Sequence, residues 1–187
     1  MLRTNLAEKT EQEIITLVLA GQKEQYKELV KRHQDKIYRY VTYLISNAEL
    51  AKDATQAAFI KAYINLNGYD QQQKFSSWLY RIAHNEAISL VRKEKNLVGA
   101  DLSNLPERAD GDLGHLEKLI ASEEKAELFR VLQRLPRGQK QALLLYYMEE
   151  KSYEEIAEIM RTNKNNVGSE ISRAKKKIAK LIGRERR

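Results

Sequence analysis

Apolar residues recur three and four positions apart along almost the whole chain. That is the period of a helix that buries one stripe and wets the other, and no stretch alternates apolar with polar for long, as a half-buried strand would. Two Pro and eight Gly leave few breakers, so the helices should be long. The pattern predicts an all-α chain. Thr10 and Glu13 fit a capping box opening a helix that runs toward Gly21. An amphipathic segment follows from about Gln22 to Ile45. Ser46 and Glu49 form a second capping-box pattern, ahead of a helix over Ala51 to Leu66. Residues 67–78, NGYDQQQKFSSW, interrupt with turn formers, and a further helix runs through Lys93.

The periodicity then stops. Residues 97–117, LVGADLSNLPERADGDLGHLE, gather three Gly and one Pro with little apolar mass. Such a run is most simply a flexible, solvated linker. It divides the chain into two small helical domains, 10–96 and 118–187, each large enough for a compact unit. In the second, one helix begins near Leu119 and reaches Leu135, and another runs from Pro136 through Tyr147. Ser152 and Glu155 make a third capping box. Tyr153, Ile156, Ala157 and Met160 share one face of the helix it opens. After a break at RTN, a last helix carries Val167, Ile171, Ala174, Ile178 and Leu181 as its buried stripe. Two helices separated by about three residues have the helix-turn-helix layout.

Charge adds a direction to this layout. The formal net charge is +7 and the pI about 9.4, which suits an anionic partner. Residues 161–187 hold ten basic residues against Glu170 and Glu185, whereas 97–117 holds five acids against Arg108 alone. No cysteine is present, which excludes disulfides and thiolate metal sites and fits a reducing compartment. No apolar segment has the length of a signal-peptide core or a membrane span, so the expectation is a cytoplasmic protein without membrane insertion. His33, His84 and His115 are scattered, and neither a phosphate-cradling Gly loop nor an HExxH spacing occurs, which argues against an enzyme and against a bound cofactor. His84 is expected at the surface.

Three faces carry candidate chemistry. Opposite the stripe of the last helix lie Asn165, Ser169, Ser172, Lys176 and Lys180, with Asn166 and Arg173 beside them. Asn pairs with adenine, Arg with guanine, Ser with a base edge or phosphate, and Lys with phosphate. A DNA-reading face and a solvated basic helix end both accommodate these residues, and the agreement in phase of break, stripe and polar face favours DNA. Trp78, Arg81, Asn85 and Arg92 share a face of the helix after the loop, with Lys74 and Phe75 just before it and Tyr69 across the loop. Rings interleaved with cations suit unstacked bases; Trp78 taken alone is equally a core residue. Asp53, Gln56 and Ala57, with Phe59, Ile60 and Tyr63, give a mixed face that is either a partner surface or an ordinary half-buried helix.

KDATQAAFIKAY, then KFSSWLYRIAHNEAISLVRK, an acidic linker, and LPRGQKQALLLYYMEEKSYEEIAEIM resemble the extracytoplasmic-function (ECF) group of bacterial sigma factors, from about residue 11 to 182. The resemblance implies a non-enzymatic subunit that binds core RNA polymerase and directs promoter-specific initiation. It implies docking on the β′ clamp helices by the segment with Asp53, Gln56, Phe59 and Tyr63, and contact with the β flap. Opening of the minus-ten element with capture of a flipped base would fall to Tyr69, Lys74, Phe75, Trp78, Arg81, Asn85 and Arg92. Base capture is sound physically, since an aromatic-lined pocket offsets the few kcal/mol of unstacking. The last two helices would read the minus-thirty-five element, the linker would thread toward the RNA exit channel, and an anti-sigma factor would be a regulatory partner.

Three residues depart from that family pattern. Ala57 stands where an acid is usual, and Gly168 and Glu170 where cations are common. Loss of two cations reduces phosphate grip and its salt dependence; Glu170 can pair with Arg173 or accept from a cytosine amino group. A stand-alone helix-turn-helix regulator is the main rival function. A polymerase-binding adapter without promoter recognition is a third.

Overall fold

The computed structural model of the protein describes residues 9–97 and 123–185, all of whose regular structure is helical. Helix α1 spans Glu11–Leu19, α2 Tyr26–Ile45, α3 Ala48–Ile64 and α4 Phe75–Leu97. In the second unit α5 spans Glu123–Gln133, α6 Arg137–Tyr147, α7 Tyr153–Met160 and α8 Lys164–Glu185. The expected linker lies outside the described residues except for Leu97, which ends α4, and so does the expected helix start near Leu119.

Two of the three capping boxes form as the sequence predicts. Thr10 Oγ1 accepts from Glu13 N while Glu13 Oε2 accepts from Thr10 N, and Ser152 and Glu155 repeat the arrangement at α7. The box expected at Ser46 and Glu49 does not. Ser46 ends α2 with φ 60°, and Asn47 caps α3 by accepting from Leu50 N at 3.0 Å. A residue in the left-handed region closes one helix, so the next must be capped one position later. The segment starting at Gln22 also divides, a short 3₁₀ turn over Lys23–Gln25 preceding α2.

Helices α2, α3 and α4 pack on one another. Ala51, Ala54, Ala58 and Ala62 of α3 are fully buried beside Leu29, Ile37, Tyr40 and Val41 of α2 and Leu79, Ala83 and Ala87 of α4. The small side chains of α3 allow close approach of its neighbours, and the large ones fill the remaining space. In the second unit, Leu144 and Leu145 of α6, Ile156 and Ile159 of α7 and Val167, Ile171 and Ala174 of α8 are buried, so the predicted stripe of the last helix is its core face over its first three positions, with Ile178 and Leu181 half-buried. The two units also meet: buried residues of both join one cluster, with α4 against α7 and α2 against α6.

The change of cap is directly measurable in urea melts. Asn47→Ala should lower stability by about 1 kcal/mol, whereas Ser46→Gly, at a left-handed position, should leave it unchanged or raise it; the reverse order would restore Ser46 as the cap.

Candidate nucleic-acid interface

Helix α8 is aimed by its buried stripe. With Val167, Ile171 and Ala174 facing α6 and α7, Asn165, Ser169, Ser172, Arg173, Lys176 and Lys180 are all exposed. All but Lys180 line one shallow surface slot with Tyr153, Glu154, Lys164 and Gly168. Asn163 opens the helix by accepting from Asn166 N at 2.9 Å, and the Asn166 side-chain amide donates to Thr162 Oγ1 at 3.0 Å. Asn166 therefore braces the turn, on the edge of the face.

Tyr153 lies under Gly168, where a Cβ would come 3.4 Å from its Cε2, an ordinary van der Waals contact, so the ring does not by itself require glycine. The sequence placed Tyr153 on one face with Ile156, Ala157 and Met160; at the first turn of α7 it also lines the slot. Glu170 accepts from Arg173 Nη1 at 3.3 Å, and its other oxygen lies beside Gly138, in the first turn of α6. A carboxylate near a helix N-terminus is favoured by the orphan N–H groups there. Glu170 thus lies between Arg173, with which it pairs, and the first turn of α6.

In the first unit, Tyr69, Phe75 and Trp78 form a mutual cluster with centroids 5.1 to 5.8 Å apart. All three are buried, with Phe75 also against His33, and Tyr69 donates from its hydroxyl to the Gln73 carbonyl. In this arrangement the rings are the packed floor of the loop. Lys74, just before α4, and Asn85 and Arg92 along it are exposed and Arg81 is half-buried, so cations and an amide line the outer face of α4 beyond the rings.

Helices α2 and α3 enclose an apolar groove of about 990 Å³. Gln56, Phe59 and Tyr63 line it together with Val30, Tyr38 and Ile60. Ile60 is 53% and the neighbouring Ile64 68% exposed, unusual for large aliphatics on one helix and typical of a protein-binding surface. Asp53 is exposed but does not line the groove. The Tyr26 hydroxyl donates to the Phe59 carbonyl at 2.8 Å, tying α2 to α3 at its edge.

Comparison with known proteins agrees with this architecture in order and extent. Residues 29–97 match the family model "Sigma-70 region 2" and 125–178 match "Sigma-70, region 4". The RNA polymerase sigma-H factor of Pseudomonas aeruginosa is 34% identical, covering 95% of this chain and 96% of that one. The ECF RNA polymerase sigma factor SigW of Bacillus subtilis is 30% identical, covering 90% and 94%. The chain belongs to the ECF sigma factors. Its fold is shared by CnrH, solved in complex with the cytosolic domain of CnrY, at a TM-score of 0.72, 20% identity and coverage of 92% of this chain and 97% of that one. The sigma factor RpoE of Bartonella quintana, solved with the anti-sigma factor NepR, gives 0.68, 21%, 86% and 98%. Among the described residues of this sigma factor no helix is long and apolar enough to cross a membrane, and no acidic, His or Cys cluster could hold a metal.

One expectation about the sigma factor's first unit is corrected. His84 is half-buried rather than on the surface, with Nδ1 3.2 Å from the Tyr40 hydroxyl. Burial, with a smaller contribution from the nearby Arg137 guanidinium, pushes its pKa down to about 4. The folded chain holds this ring neutral while the unfolded chain protonates it near 6.5. Its contribution to stability is therefore complete above pH 6.5 and declines as pH falls toward 4, by roughly 1 to 2 kcal/mol at a partly screened site. Urea midpoints compared at pH 7 and pH 5 should show this decline in the wild type and a smaller one in His84→Gln; equal declines would remove His84 as the cause.

Proposed function

We propose that the chain is an alternative sigma factor that binds core RNA polymerase and directs initiation at promoters with two spaced elements. The observation that carries this reading is the presence, in one chain and in family order, of both matched regions, the second with its reading helix turned outward. It performs no chemistry itself: it is a specificity subunit, and the polymerase forms the phosphodiester bonds. Its site of action is the cytoplasm, where the polymerase works, and an anti-sigma factor is the expected regulatory partner.

The division of labour follows from the surfaces. Residues 10–96 supply polymerase docking through Gln56, Phe59 and Tyr63, with Ile60 at the groove and Asp53 beside it; an amphipathic helix of the β′ clamp fits an apolar cleft of this length. The same unit opens the minus-ten element with the outer face of α4. There Lys74, Arg81, Asn85 and Arg92 engage the backbone and a displaced base, and Tyr69, Phe75 and Trp78 support the loop that receives it. Residues 118–187 read the minus-thirty-five element and contact the β flap, while the acidic stretch 97–117 runs between them. On α8, Ser169, Ser172 and Arg173 take base edges, Asn165 and Asn166 flank them, and Lys176 and Lys180 grip phosphates. Glu170, in this reading, replaces a phosphate contact by a positioning one, holding the Arg173 fork toward one base.

Reconstitution with core polymerase and a randomised promoter library tests the whole reading. A holoenzyme should co-elute, and the selected promoters should share two spaced elements. Binding to duplex DNA alone, with no complex with core, would instead identify a stand-alone regulator. Arg173→Ala should cut transcription from a selected promoter by about 5- to 150-fold, the equivalent of one lost bidentate base contact of 1–3 kcal/mol, with co-elution intact. An adapter without promoter recognition would be indifferent to that change. Ile60→Asp should do the opposite, abolishing co-elution while the isolated chain keeps its helical circular-dichroism signal.

A further inference from the structure

Tyr153 stands apart within the slot along α8. Among the described residues that line it, the others are polar, charged or glycine, and Tyr153 alone brings an aromatic ring. The ring is half-buried and held from behind. Ser152 and Glu155 fix the backbone on which it sits through their capping box. Tyr146 meets it edge-on with centroids 5.4 Å apart, and Tyr146 is itself packed against Tyr147 at 4.8 Å. A ring fixed by such neighbours gains a ligand contact without first losing rotamer freedom.

What the ring can meet depends on Gly168. A Cβ there would already touch Cε2 at 3.4 Å, so a longer side chain would take up the space beside the ring, and glycine leaves that edge open to the slot. Ser172, four residues on and therefore on the same side of α8, is exposed and offers a hydroxyl. Arg173 stands about 140° round the helix from Gly168, at about 100° per residue. Ring and guanidinium thus border opposite sides of the slot and face different bases.

A phosphate is a poor occupant of the Tyr153 side. The Glu154 carboxylate lines it, and Lys164 is committed to Glu154 at 2.8 Å. Lys175, about two turns beyond Gly168, lies over the Tyr147 ring at 5.2 Å. An apolar edge bordered by a carboxylate instead suits the apolar group that the major groove exposes, the C5-methyl of thymine. Thymine O4 lies on the neighbouring ring carbon, where a serine hydroxyl can donate to it. We infer that Tyr153, left uncovered at Gly168, is a thymine-reading residue of the α8 interface: its ring edge receives the C5-methyl, and Ser172 binds the adjacent O4. This rests on the promoter reading above and names one base that the element must contain.

The experiment uses the holoenzyme and the minus-thirty-five element it selects. Uracil replaces each thymine of that element in turn, on either strand, which removes one methyl and leaves every hydrogen-bonding group. One position should lose about fourfold in transcription, which is what burial of one methyl group supplies. Gly168→Lys and Tyr153→Ser should each bring the thymine-to-uracil ratio at that position to one, whereas Tyr153→Phe should keep it. The ratio compares two templates with one protein, so poorer folding or stronger phosphate grip in a variant shifts both alike, and Gly168→Lys keeps the ring itself in place. Ser172→Ala should lower transcription from the thymine template and leave the ratio unchanged; a collapsed ratio would assign the methyl to Ser172 and overturn the role of the ring. The inference is also overturned if the selected element holds no thymine, if no position senses the methyl, or if Gly168→Lys leaves the ratio as in the wild type. A wild type that forms no promoter-selective holoenzyme is a separate failure: the sigma-factor reading then falls, and the thymine contact with it.

Discussion

A helix has no independent choice of which side to expose once its buried side is fixed, and this constraint of phase governs every surface of the molecule. In α8, burial of Val167, Ile171 and Ala174 turns Asn165, Ser169, Arg173 and Lys176 outward together, within one slot. In α3, four buried alanines one turn apart leave Gln56, Ile60 and Tyr63 along the groove. The core thus sets the direction of these side chains before any ligand contributes, and the faces proposed for DNA reading and polymerase docking are by-products of packing.

Local physics made much of this legible in the sequence. Helix boundaries at Thr10, Ser152 and the break at 161–163 follow from capping chemistry and the loss of periodicity. Ser46 and Asn47 show where local rules become degenerate. Either residue can cap, both lie about three positions before a suitable partner, and only the way α2 terminates decides between them. The burial of Tyr69 and Phe75 was not legible, and that of Trp78 only as one of two alternatives, because an aromatic next to a polar loop has the same signature whether its ring is stacked on neighbours or open to a base. His84 misled for a related reason: its half-buried position depends on Tyr40, more than forty residues away.

The meeting of the two units lay furthest from view. Arg39 and Glu149 are separated by 110 positions, no spacing pattern links them, and a glutamate beside a helix end reads as a solvated charge. The departures on α8 were visible as oddities of composition. Packing adds that Gly168 lies over the Tyr153 ring and that Glu170 pairs with Arg173 near the start of α6.

The buried Glu149 carboxylate makes the tolerance of one unit depend on the other. Its side chain is 2% exposed, and the groups that compensate its charge, the Arg39 guanidinium and the Tyr80 hydroxyl, belong to the first unit. A carboxylate withdrawn from water in this way relies on partners that its own unit does not supply. A substitution at any one of the three strands the others.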